Sequence, residues 1–298
     1  MTNIAVTGAG GFVGRYLVPE LLRHNHQVRA LTRFGTDAPW LRDGVDWVRG
    51  DVRNRNTVET LLDGSSVVVH LGAWSFRDPE PDVIVDGTAA VLAAARARGI
   101  ERIVFVSCLA SSADNPSPFL QEKWKAEQMI RGSGLTYVIL RPSVILGRGD
   151  GLTRPLADLV RRAPLIPLPS RSDARLQPVD VEDVVRCIVD AVSRDDVANL
   201  EISVGGPTFL TFRNLVDLIA GEIGVVRPKV QLPTSLLVGL AGRLPAAARS
   251  LFSPSRLALL TEASTTSPGN VQRLFEFEPR SVVGRLTDYL DGDPGTLS

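Results

Sequence analysis

The stretch Thr7-Gly8-Ala9-Gly10-Gly11-Phe12-Val13-Gly14 decides the fold that this chain can adopt. It follows a short apolar strand pattern at residues 3–7 and leads into helical spacing of apolar residues at 11–24. In this context one glycine permits a tight turn, another lets the backbone approach a pyrophosphate, and the third allows close packing of helix on strand. The phosphates would face the N-terminus of the helix. The motif predicts a dinucleotide-binding fold, against the alternative of a purely structural glycine-rich turn.

Strand and helix patterns alternate from this stretch as far as Gly147. Such alternation is typical of crossover connections and a parallel sheet. The continuous valine run at residues 67–69 suits a strand that is buried on both faces. We predict strands at residues 3–7, 27–31, 46–48, 66–70, 102–106 and 136–140, and helices at residues 11–24, 54–62, 82–98 and 118–132.

Beyond Gly147 the prolines become frequent and the alternation weakens. The pattern there predicts a helix at 179–192, a strand at 200–204, a helix at 212–223 capped by Thr211, and an apolar helical segment at 233–262 with breaks at Gly242 and Pro245. The predicted fold is α/β, a Rossmann-type doubly wound parallel sheet with a smaller, mostly helical C-terminal substrate lobe. We assign residues 1–149 to the dinucleotide-binding domain, with residues 178–206 returning to it, and residues 150–177 and 207–298 to the substrate-binding lobe.

The composition narrows the classes of partner. Lysine plus arginine equals aspartate plus glutamate at 33 each, so no charge excess favours nucleic acid. The chain contains two cysteines and three histidines without ligand spacing, which predicts no metal site and fits a reducing cytoplasm. An apolar stretch long enough to span a membrane does not occur. We expect a cytoplasmic monomer or homodimer with a small-molecule partner, and neither nucleic acid nor membrane as a partner.

The end of the second predicted strand indicates the coenzyme. NAD-preferring sites place an acidic residue there, about twenty residues past the glycine loop, to hold the ribose hydroxyls. In this chain the strand ends Leu31-Thr32-Arg33, without a carboxylate. Arg33 offers a planar, permanently charged group that pairs with a 2′-phosphate, and Arg15 could assist. We predict a preference for NADP(H), with NAD(H) possible; the alternative is that both arginines are solvated surface residues.

The chain also resembles a known superfamily over roughly residues 1–190. It resembles the extended and atypical short-chain dehydrogenases/reductases, most of all the subgroup that includes the NAD(P)H-binding accessory subunit of respiratory complex I. The matching pieces stand in the order and spacing of that group. They are Thr7–Gly14, Gly50-Asp51-Val52, His70-Leu71-Gly72-Ala73, Asp86-Gly87-Thr88, Val106-Ser107, Lys123 with Ala126-Glu127, Leu140-Arg141-Pro142-Ser143, and Gln177–Val184.

The resemblance implies a role for each matching piece. The glycine loop would hold the pyrophosphate, the residues after the third to sixth strands would contact the adenine and nicotinamide halves, and Lys123 would bind the nicotinamide ribose. Ser107 and Lys123 would be the catalytic residues. The implied cofactor-binding residues are Thr7, Gly8, Gly10, Gly11, Phe12, Val13, Gly14, Arg33, Asp51, Val52, Leu71, Gly72, Ala73, Lys123, Pro142, Ser143 and Val144.

One departure from this group affects the chemistry. The family keeps a tyrosine four residues before the lysine to protonate the carbonyl oxygen, and this chain has Phe119 there. A phenyl ring carries no proton donor. The three tyrosines of the chain, Tyr16, Tyr137 and Tyr289, lie elsewhere in the sequence. Either the reaction takes its proton from another source, or the chain binds the cofactor without turnover.

Three hypotheses follow from this departure. The first is an NAD(P)H-dependent ketoreductase of a bulky phenolic or quinonoid polycyclic ketone, in which substrate or solvent supplies the proton. In this respect the chain is similar to tyrosine-lacking ketoreductases of aromatic polyketide (angucyclinone) pathways, which belong to antibiotic biosynthesis. The second is a non-catalytic NADP(H)-binding redox sensor or assembly subunit. The third is an isomerase or dehydratase with tightly held NAD.

Overall fold

The computed structural model describes residues 1–33, 43–72, 80, 82–242 and 246–290. Its centre is a parallel sheet of seven strands in the order β11-β6-β5-β4-β1-β2-β3, with numbers that follow the chain. The strands are β1 (Asn3–Thr7), β2 (Gln27–Thr32), β3 (Val45–Arg49), β4 (Val67–His70), β5 (Arg102–Val106), β6 (Thr136–Pro142) and β11 (Leu200–Val204). The chain order reverses between β1 and β4, and in doubly wound sheets the ligand crevice lies at this point, beyond the carboxyl ends of the strands. The predicted Rossmann-type fold is confirmed.

Helices cover both faces of the sheet because alternate strand residues point to opposite faces. On β1, Ile4 and Val6 pack on one face and Ala5 on the other. The first face is covered by α1 (Phe12–Arg23), α6 (Val181–Ser193) and α11 (Asn270–Phe275). The second face is covered by α2 (Arg55–Leu62), α3 (Val83–Arg98) and α4 (Pro118–Arg131).

The rest of the described chain forms a lobe with a hydrophobic core of its own. Three short strand pairs belong to this part: β7 (Ile145–Leu146) with β10 (Val179–Asp180), β8 (Ile166–Pro169) with β13 (Lys229–Leu232), and β9 (Arg175–Leu176) with β12 (Leu210–Thr211). The lobe helices are α5 (Thr153–Arg162), α7 (Phe212–Ile223), α8 (Thr234–Ala241), α9 (Ala246–Leu251), α10 (Pro254–Thr261) and α12 (Leu286–Leu290), the last preceded by a 3-10 turn at Val283–Arg285. Thr211 caps α7 as predicted, and it forms a reciprocal capping box with Asn214.

The structure differs from the sequence predictions at three places. The helix predicted from residue 179 begins at Val181, because Val179 and Asp180 pair with β7 and the Asp180 carboxylate accepts from the Glu182 N–H. The apolar segment 233–262 has an additional break, since Pro254 starts a new helix. Within the part assigned to the lobe, Val271, Phe275 and Phe277 pack into the core beneath the sheet, where α6 and β11 leave apolar surface to cover.

No helix between residues 1 and 290, with the gaps given above, is both long and apolar enough to cross a membrane.

Candidate functional site

The glycine loop follows β1 and forms a cradle from which side chains are excluded. Gly8 has a φ of +73°, and the Gly11 N–H donates to its carbonyl at 2.9 Å. A Cβ on Gly14 would lie 2.4 Å from the Ala9 carbonyl oxygen and 2.5 Å from that of Gly8. These contacts require glycine at both ends of the loop. Arg15, a candidate for the 2′-phosphate, donates its Nε to the Gly10 carbonyl at 3.1 Å and so braces the loop.

The N-terminus of α1 is left open toward this loop. Gly11 supplies no side-chain cap, and the first turn, which holds Phe12 and Val13, carries no acidic residue. The first backbone N–H groups of a helix have no partner within the helix, and the helix dipole favours an anion there. The geometry therefore fits the pyrophosphate of a dinucleotide.

The carboxyl ends of β1 and β4 meet directly beside the loop. A buried chain of hydrogen bonds joins Thr7 Oγ1 to His70 Nδ1 at 2.6 Å and His70 Nε2 to Thr88 Oγ1 at 3.0 Å. The Thr88 hydroxyl donates to the Ile84 carbonyl, so it accepts from His70 Nε2 and leaves Nδ1 to accept from Thr7. Burial, and then the charge of Lys123, lowers the pKa of His70 to about 3. His70 is thus a neutral residue that fixes β1 and β4 to α3.

Lys123 projects from α4 into the crevice between β4 and β5. The residue is 4% exposed. Its ammonium group donates to the carbonyls of Val106 at 2.6 Å and Leu71 at 3.4 Å, and lies 4.9 Å from the centre of the Phe105 ring. A Cβ on Gly72 would be 2.5 Å from Nζ, so this glycine makes room for the ammonium. Burial lowers the pKa of Lys123 to about 8. The group is therefore poised to lose its charge just above neutral pH.

Ser107 lies at the end of β5, next to the carbonyl that holds Lys123. Its backbone N–H donates to the Leu140 carbonyl at 2.8 Å, which fixes the residue at the edge of the sheet. Its side chain is buried at 4% exposure, and the hydroxyl has no hydrogen-bond partner within the described part of the chain. A buried hydroxyl without a partner costs free energy and marks a position where a ligand group is expected.

None of the three tyrosines takes the place of the phenol that is missing at position 119. Phe119 packs into the core between α3, α4 and the sheet and is 6% exposed. Tyr16 donates its hydroxyl to the Arg148 carbonyl at 2.9 Å, and burial raises its pKa to about 12. Tyr289 donates to Asp180 at 2.6 Å, and burial raises its pKa as well. Tyr137 is the second residue of β6, so it lies near the amino ends of the strands, away from the carboxyl ends that form the site.

The carboxyl end of β6, at Pro142, Ser143 and Val144, connects the sheet to the lobe. The Ser143 hydroxyl bonds to both the carbonyl and the hydroxyl of Ser264, at 2.8 and 2.6 Å, and accepts from the Gln177 N–H at 3.2 Å. Because the hydroxyl is engaged in this way, we expect a ligand at this edge to meet the backbone of Ser143. Gln177 begins the Gln177–Val184 segment of the family resemblance, whereas Ser264 carries no motif, and only the fold shows that both contact Ser143.

Glu127, a buried carboxylate in α4, connects β6 to the loop that follows Ser107. Glu127 is fully buried; it forms two hydrogen bonds with Arg141, one of them 2.9 Å long, and accepts from the Ser111 hydroxyl at 3.0 Å. Arg141 is also paired with Glu201 on β11 at 3.0 Å. The network ties α4, which carries Lys123, to β6 and to the loop after β5.

We expect Glu127→Gln to lower the free energy of unfolding by about 2–3 kcal/mol, because it leaves the Arg141 guanidinium short of a buried charge partner. The matched control is Glu201→Gln, which removes the more exposed carboxylate of the same network and should cost less than about 1 kcal/mol. Urea denaturation followed by circular dichroism measures both. Equal effects of the two variants would contradict the assignment of Glu127 as the main support.

The adenine end of the predicted site lies beyond β2 and β3. Asp51 receives two hydrogen bonds from the Arg53 guanidinium, at 2.9 and 2.7 Å, and the pKa of Asp51 is lowered to about 2 mainly by this contact. Val52 is buried beneath α3, where a Cβ on Gly87 would collide with it. Arg33 is exposed and pairs with Glu80. Sequence reasoning missed Arg53, which adjoins the Gly50-Asp51-Val52 motif, and Glu80, for which no sequence signal exists. The predicted contact at Ala73 lies outside the described residues.

A cavity of about 340 Å³ lies on the other side of α1, against α6 and α12. Its lining includes Tyr16, Arg148, Asp180, Arg285 and Tyr289 and none of the predicted site residues. Across the described ranges, three or more potential metal ligands do not come together at one place. The chemistry of the site therefore rests on the crevice around Ser107 and Lys123.

The fold and the open glycine cradle define a Rossmann-type dinucleotide-binding protein. Residues 8–161 match the family described as NAD(P)H-binding, and the chain belongs to this family, within the atypical short-chain dehydrogenase/reductase group. It is 34% identical over 235 residues to ceramide reductase of Caulobacter vibrioides, an alignment that covers 77% of this chain and 73% of the relative. It is 29% identical over 251 residues to the mitochondrial NADH dehydrogenase (ubiquinone) 1 alpha subcomplex subunit 9 of Arabidopsis thaliana, which covers 79% of this chain.

Several relatives are longer than the part that aligns. The alignment spans 61% of the Arabidopsis subunit and 24% of an uncharacterized protein of Mycobacterium tuberculosis that is 33% identical over 236 residues. Among solved structures, the NADPH complex of the NADPH-dependent quinone oxidoreductase of Escherichia coli superposes with a TM-score of 0.78 at 16% identity, covering 97% of this chain and all of that one. At this level of identity, the superposition shows a shared fold. Taken together, these relationships describe an NAD(P)H-binding protein.

Proposed function

We propose that the protein is an NADPH-dependent reductase of a bulky phenolic or quinonoid polycyclic ketone, the kind of compound that aromatic polyketide tailoring enzymes process. The proposal goes beyond NAD(P)H binding by naming the reaction, the substrate class and the source of the proton. Bound NADPH supplies a hydride from nicotinamide C4. The remaining requirements fall on the side chains of this chain.

The observation that carries the proposal is the buried Ser107 hydroxyl, which has no partner among the described residues. A donor aimed at a carbonyl oxygen stabilises the negative charge that develops there during reduction. The Ser111 hydroxyl, in the loop after β5, is satisfied by the Cys108 carbonyl at 2.9 Å. Ser65, Ser117 and Ser253 also lack a described partner, but of these hydroxyls that of Ser107 lies at the carboxyl end of a sheet strand beside Lys123. The free hydroxyl of Ser107 therefore supports a carbonyl-orienting role.

The positive charge of Lys123 also supports reduction of a carbonyl at this site. Its ammonium group lies beside the carbonyl of Val106, the residue that precedes Ser107, and so adds positive potential near the carbonyl to be reduced. It is also placed to donate to the ribose hydroxyls of the nicotinamide half. Neither role replaces the phenol. Loss of a general acid costs about 10²–10⁴-fold in rate unless the substrate brings its own.

A ketone beside a phenolic hydroxyl does bring its own acid. In such a substrate the phenol passes its proton to the oxygen of the carbonyl that is reduced, and the phenolate that remains takes a proton from solvent. Phe119, at the position of the missing donor, is packed in the core and carries no acidic proton, so the proton has to come from the substrate or from solvent. The relative named ceramide reductase supports reduction in general and adds ceramide-type lipids to the compounds that should be tested.

The NADP(H) preference is supported by two guanidinium groups at the adenine end. Arg33 and Arg53 both approach Glu80, beyond the ends of β2 and β3, where a 2′-phosphate would lie. Arginine pairs with phosphate through two parallel hydrogen bonds.

A second candidate function is non-catalytic NADP(H) binding, as a redox sensor or assembly subunit. It is favoured by Phe119 together with the full engagement of the hydroxyls of Tyr16 and Tyr289. The similarity to a subunit of the NADH dehydrogenase 1 alpha subcomplex supports it further.

Isotope transfer separates the two functions. The purified chain is incubated anaerobically with NADPH deuterated at C4, in separate 4R and 4S forms, and with polycyclic phenolic ketones, quinones and ceramide-type lipids. Mass spectrometry then measures deuterium in the products. We expect label on the carbinol carbon of a phenolic ketone, from one of the two forms. Reduction of a quinone to a hydroquinone leaves no label on carbon, so it is followed by the oxidation of NADPH. Label only on a lipid product would overturn the substrate class, and tight NADPH binding without label transfer or NADPH oxidation with any compound would favour the non-catalytic function.

Replacing Phe119 by tyrosine tests whether the missing donor matters. We expect Phe119→Tyr to raise turnover of plain ketones without an adjacent phenol by about 10²-fold, because Lys123 lowers the pKa of a phenol placed there. Phe119→Leu is the control, since it keeps an apolar side chain and adds no donor. Steady-state kinetics on a plain and a phenolic ketone give the result. An unchanged rate on the plain ketone would show that position 119 does not face the reacting carbonyl.

A further inference from the structure

Four charged side chains form one continuous cluster at the adenine end of the site. Arg33, just past β2, pairs with Oε1 of Glu80, and the Arg53 guanidinium bonds to Oε2 of the same carboxylate at 2.7 Å. Asp51 binds Arg53 from the other side through both carboxylate oxygens. Among the described residues, Glu80 is thus the carboxylate that bridges the two arginines.

The bridge places a carboxylate where the sequence pattern has none. The strand end at Arg33 lacks the acidic residue that holds the ribose 2′-hydroxyl in NAD-preferring relatives of this fold. Glu80 reaches the same position from a part of the chain 47 residues away. It is a hydrogen-bond acceptor suited to a hydroxyl and a negative charge opposed to a phosphate.

Two guanidinium groups that converge on one carboxylate offer the arrangement that a phosphate needs. Each presents planar N–H donors and a positive charge. About half of Arg33 and a third or more of Arg53 and Glu80 are exposed, so a ligand can reach all three side chains. A 2′-phosphate must displace Glu80 from both arginines before it gains their full charge, whereas a 2′-hydroxyl can leave the cluster as it is.

We propose that Glu80 is an internal competitor of the coenzyme 2′-phosphate, and that Arg53 is a second determinant, beside Arg33, of NADP(H) recognition. The Glu80 carboxylate neutralises both arginines in the free protein, weakens the binding of NADP(H), and accepts a hydrogen bond from the 2′-hydroxyl of NAD(H). The chain consequently discriminates less between the two coenzymes than its arginines would by themselves. This proposal rests on the coenzyme orientation used in the proposed function, with the adenine ribose at Arg33.

Coenzyme affinities of the full chain test this directly. Dissociation constants for NADPH and NADH are measured by isothermal titration calorimetry for the wild type, Glu80→Gln and Arg53→Gln. We expect Glu80→Gln to raise the ratio of NADPH to NADH affinity by about tenfold, because two charge-assisted contacts pass from the carboxylate to the phosphate. Arg53→Gln should lower the same ratio by about tenfold. Since Arg53 also holds Asp51, the ratio is a better measure than either affinity alone.

Glu59→Gln is the matched control, because Glu59 in α2 is also a partly exposed carboxylate that pairs with two arginines, Arg55 and Arg98. Its affinity ratio should stay within twofold of the wild type. A salt series adds a second readout, since NADPH binding to Glu80→Gln should weaken more steeply with ionic strength than binding to the wild type.

The possible failures can be told apart. A ratio that is unchanged or lower in Glu80→Gln would overturn the proposal, and a lower one would mean that Glu80 positions the arginines for the phosphate. Binding of both coenzymes without deuterium transfer would leave the Glu80 result intact and remove only the reductase function. If neither coenzyme binds to the wild type, the proposed function and this inference both fall.

Discussion

Lys123→Met yields a protein that is more stable and almost inactive. Methionine has similar length but carries no charge, so the variant removes an ammonium group that is buried against two carbonyls and an aromatic ring, without an ion pair anywhere in the described ranges. Burying a charge costs free energy that backbone carbonyls recover only in part. We expect the free energy of unfolding at pH 7 to rise by about 1–3 kcal/mol. We also expect kcat/KM to fall by at least about 10²-fold, because one preorganised donor is lost from the site.

The lowered pKa of Lys123 determines how stability and catalysis change with pH. The folded chain releases the Lys123 proton near pH 8, whereas the unfolded chain keeps it up to the ordinary lysine pKa of about 10.4. Between these values the unfolded state binds more protons, so the stability contributed by this group rises with pH in the wild type. The variant should lack this rise. Catalysis has the opposite trend, since kcat/KM of the wild type should fall as the pH passes about 8 and the ammonium is lost.

Urea denaturation at pH 7 and pH 9.5 and a pH–rate profile give the two readouts. Coenzyme affinity should fall by about tenfold in the variant, through loss of the ribose contact. A variant less stable than the wild type would show that the ammonium is satisfied by partners beyond those described. A variant with unchanged kcat/KM would remove Lys123 from the site.

Gly14→Ala abolishes dinucleotide binding and destabilises the fold. The added Cβ would lie 2.4 and 2.5 Å from the carbonyl oxygens of Ala9 and Gly8. Both atoms are backbone, so relief requires α1 to move away from β1 and the loop to open. We expect the free energy of unfolding to fall by about 3 kcal/mol or more. Affinity for NADPH should fall by more than about 10²-fold, because the N-terminus of α1 no longer points at the pyrophosphate.

Gly221→Ala is the control for this prediction. Gly221 lies within α7, and a Cβ there meets nothing within 4 Å. Alanine in an open helical position should stabilise the chain by about 0.5–1 kcal/mol and leave NADPH binding unchanged. Thermal unfolding and calorimetric titration compare the two variants. Retained NADPH affinity in Gly14→Ala would show that the dinucleotide does not use this loop.

Much of the fold followed from local patterns. The β1 and β5 strands and α7 have the predicted bounds, and the other sheet strands and their helices lie within two residues of them. Such segments are decided by apolar periodicity and by local caps, which the amino acid order carries directly. The start of α6 was misplaced because Val179 and Asp180 pair with β7, a contact between parts of the chain that periodicity does not contain.

The order of amino acids alone specified the glycine loop, the parallel sheet, the dinucleotide-binding class and the absence of a tyrosine at position 119, because each depends on residues close together in the chain. Tertiary structure decided the state of the groups that matter for chemistry. It left the Ser107 hydroxyl without a described partner, buried the Lys123 ammonium so that its pKa is lowered, and engaged two distant tyrosines elsewhere. It also brought Glu80 to Arg33. Burial and pairing over long sequence separations are properties of packing, and packing sets both hydrogen-bond satisfaction and charge.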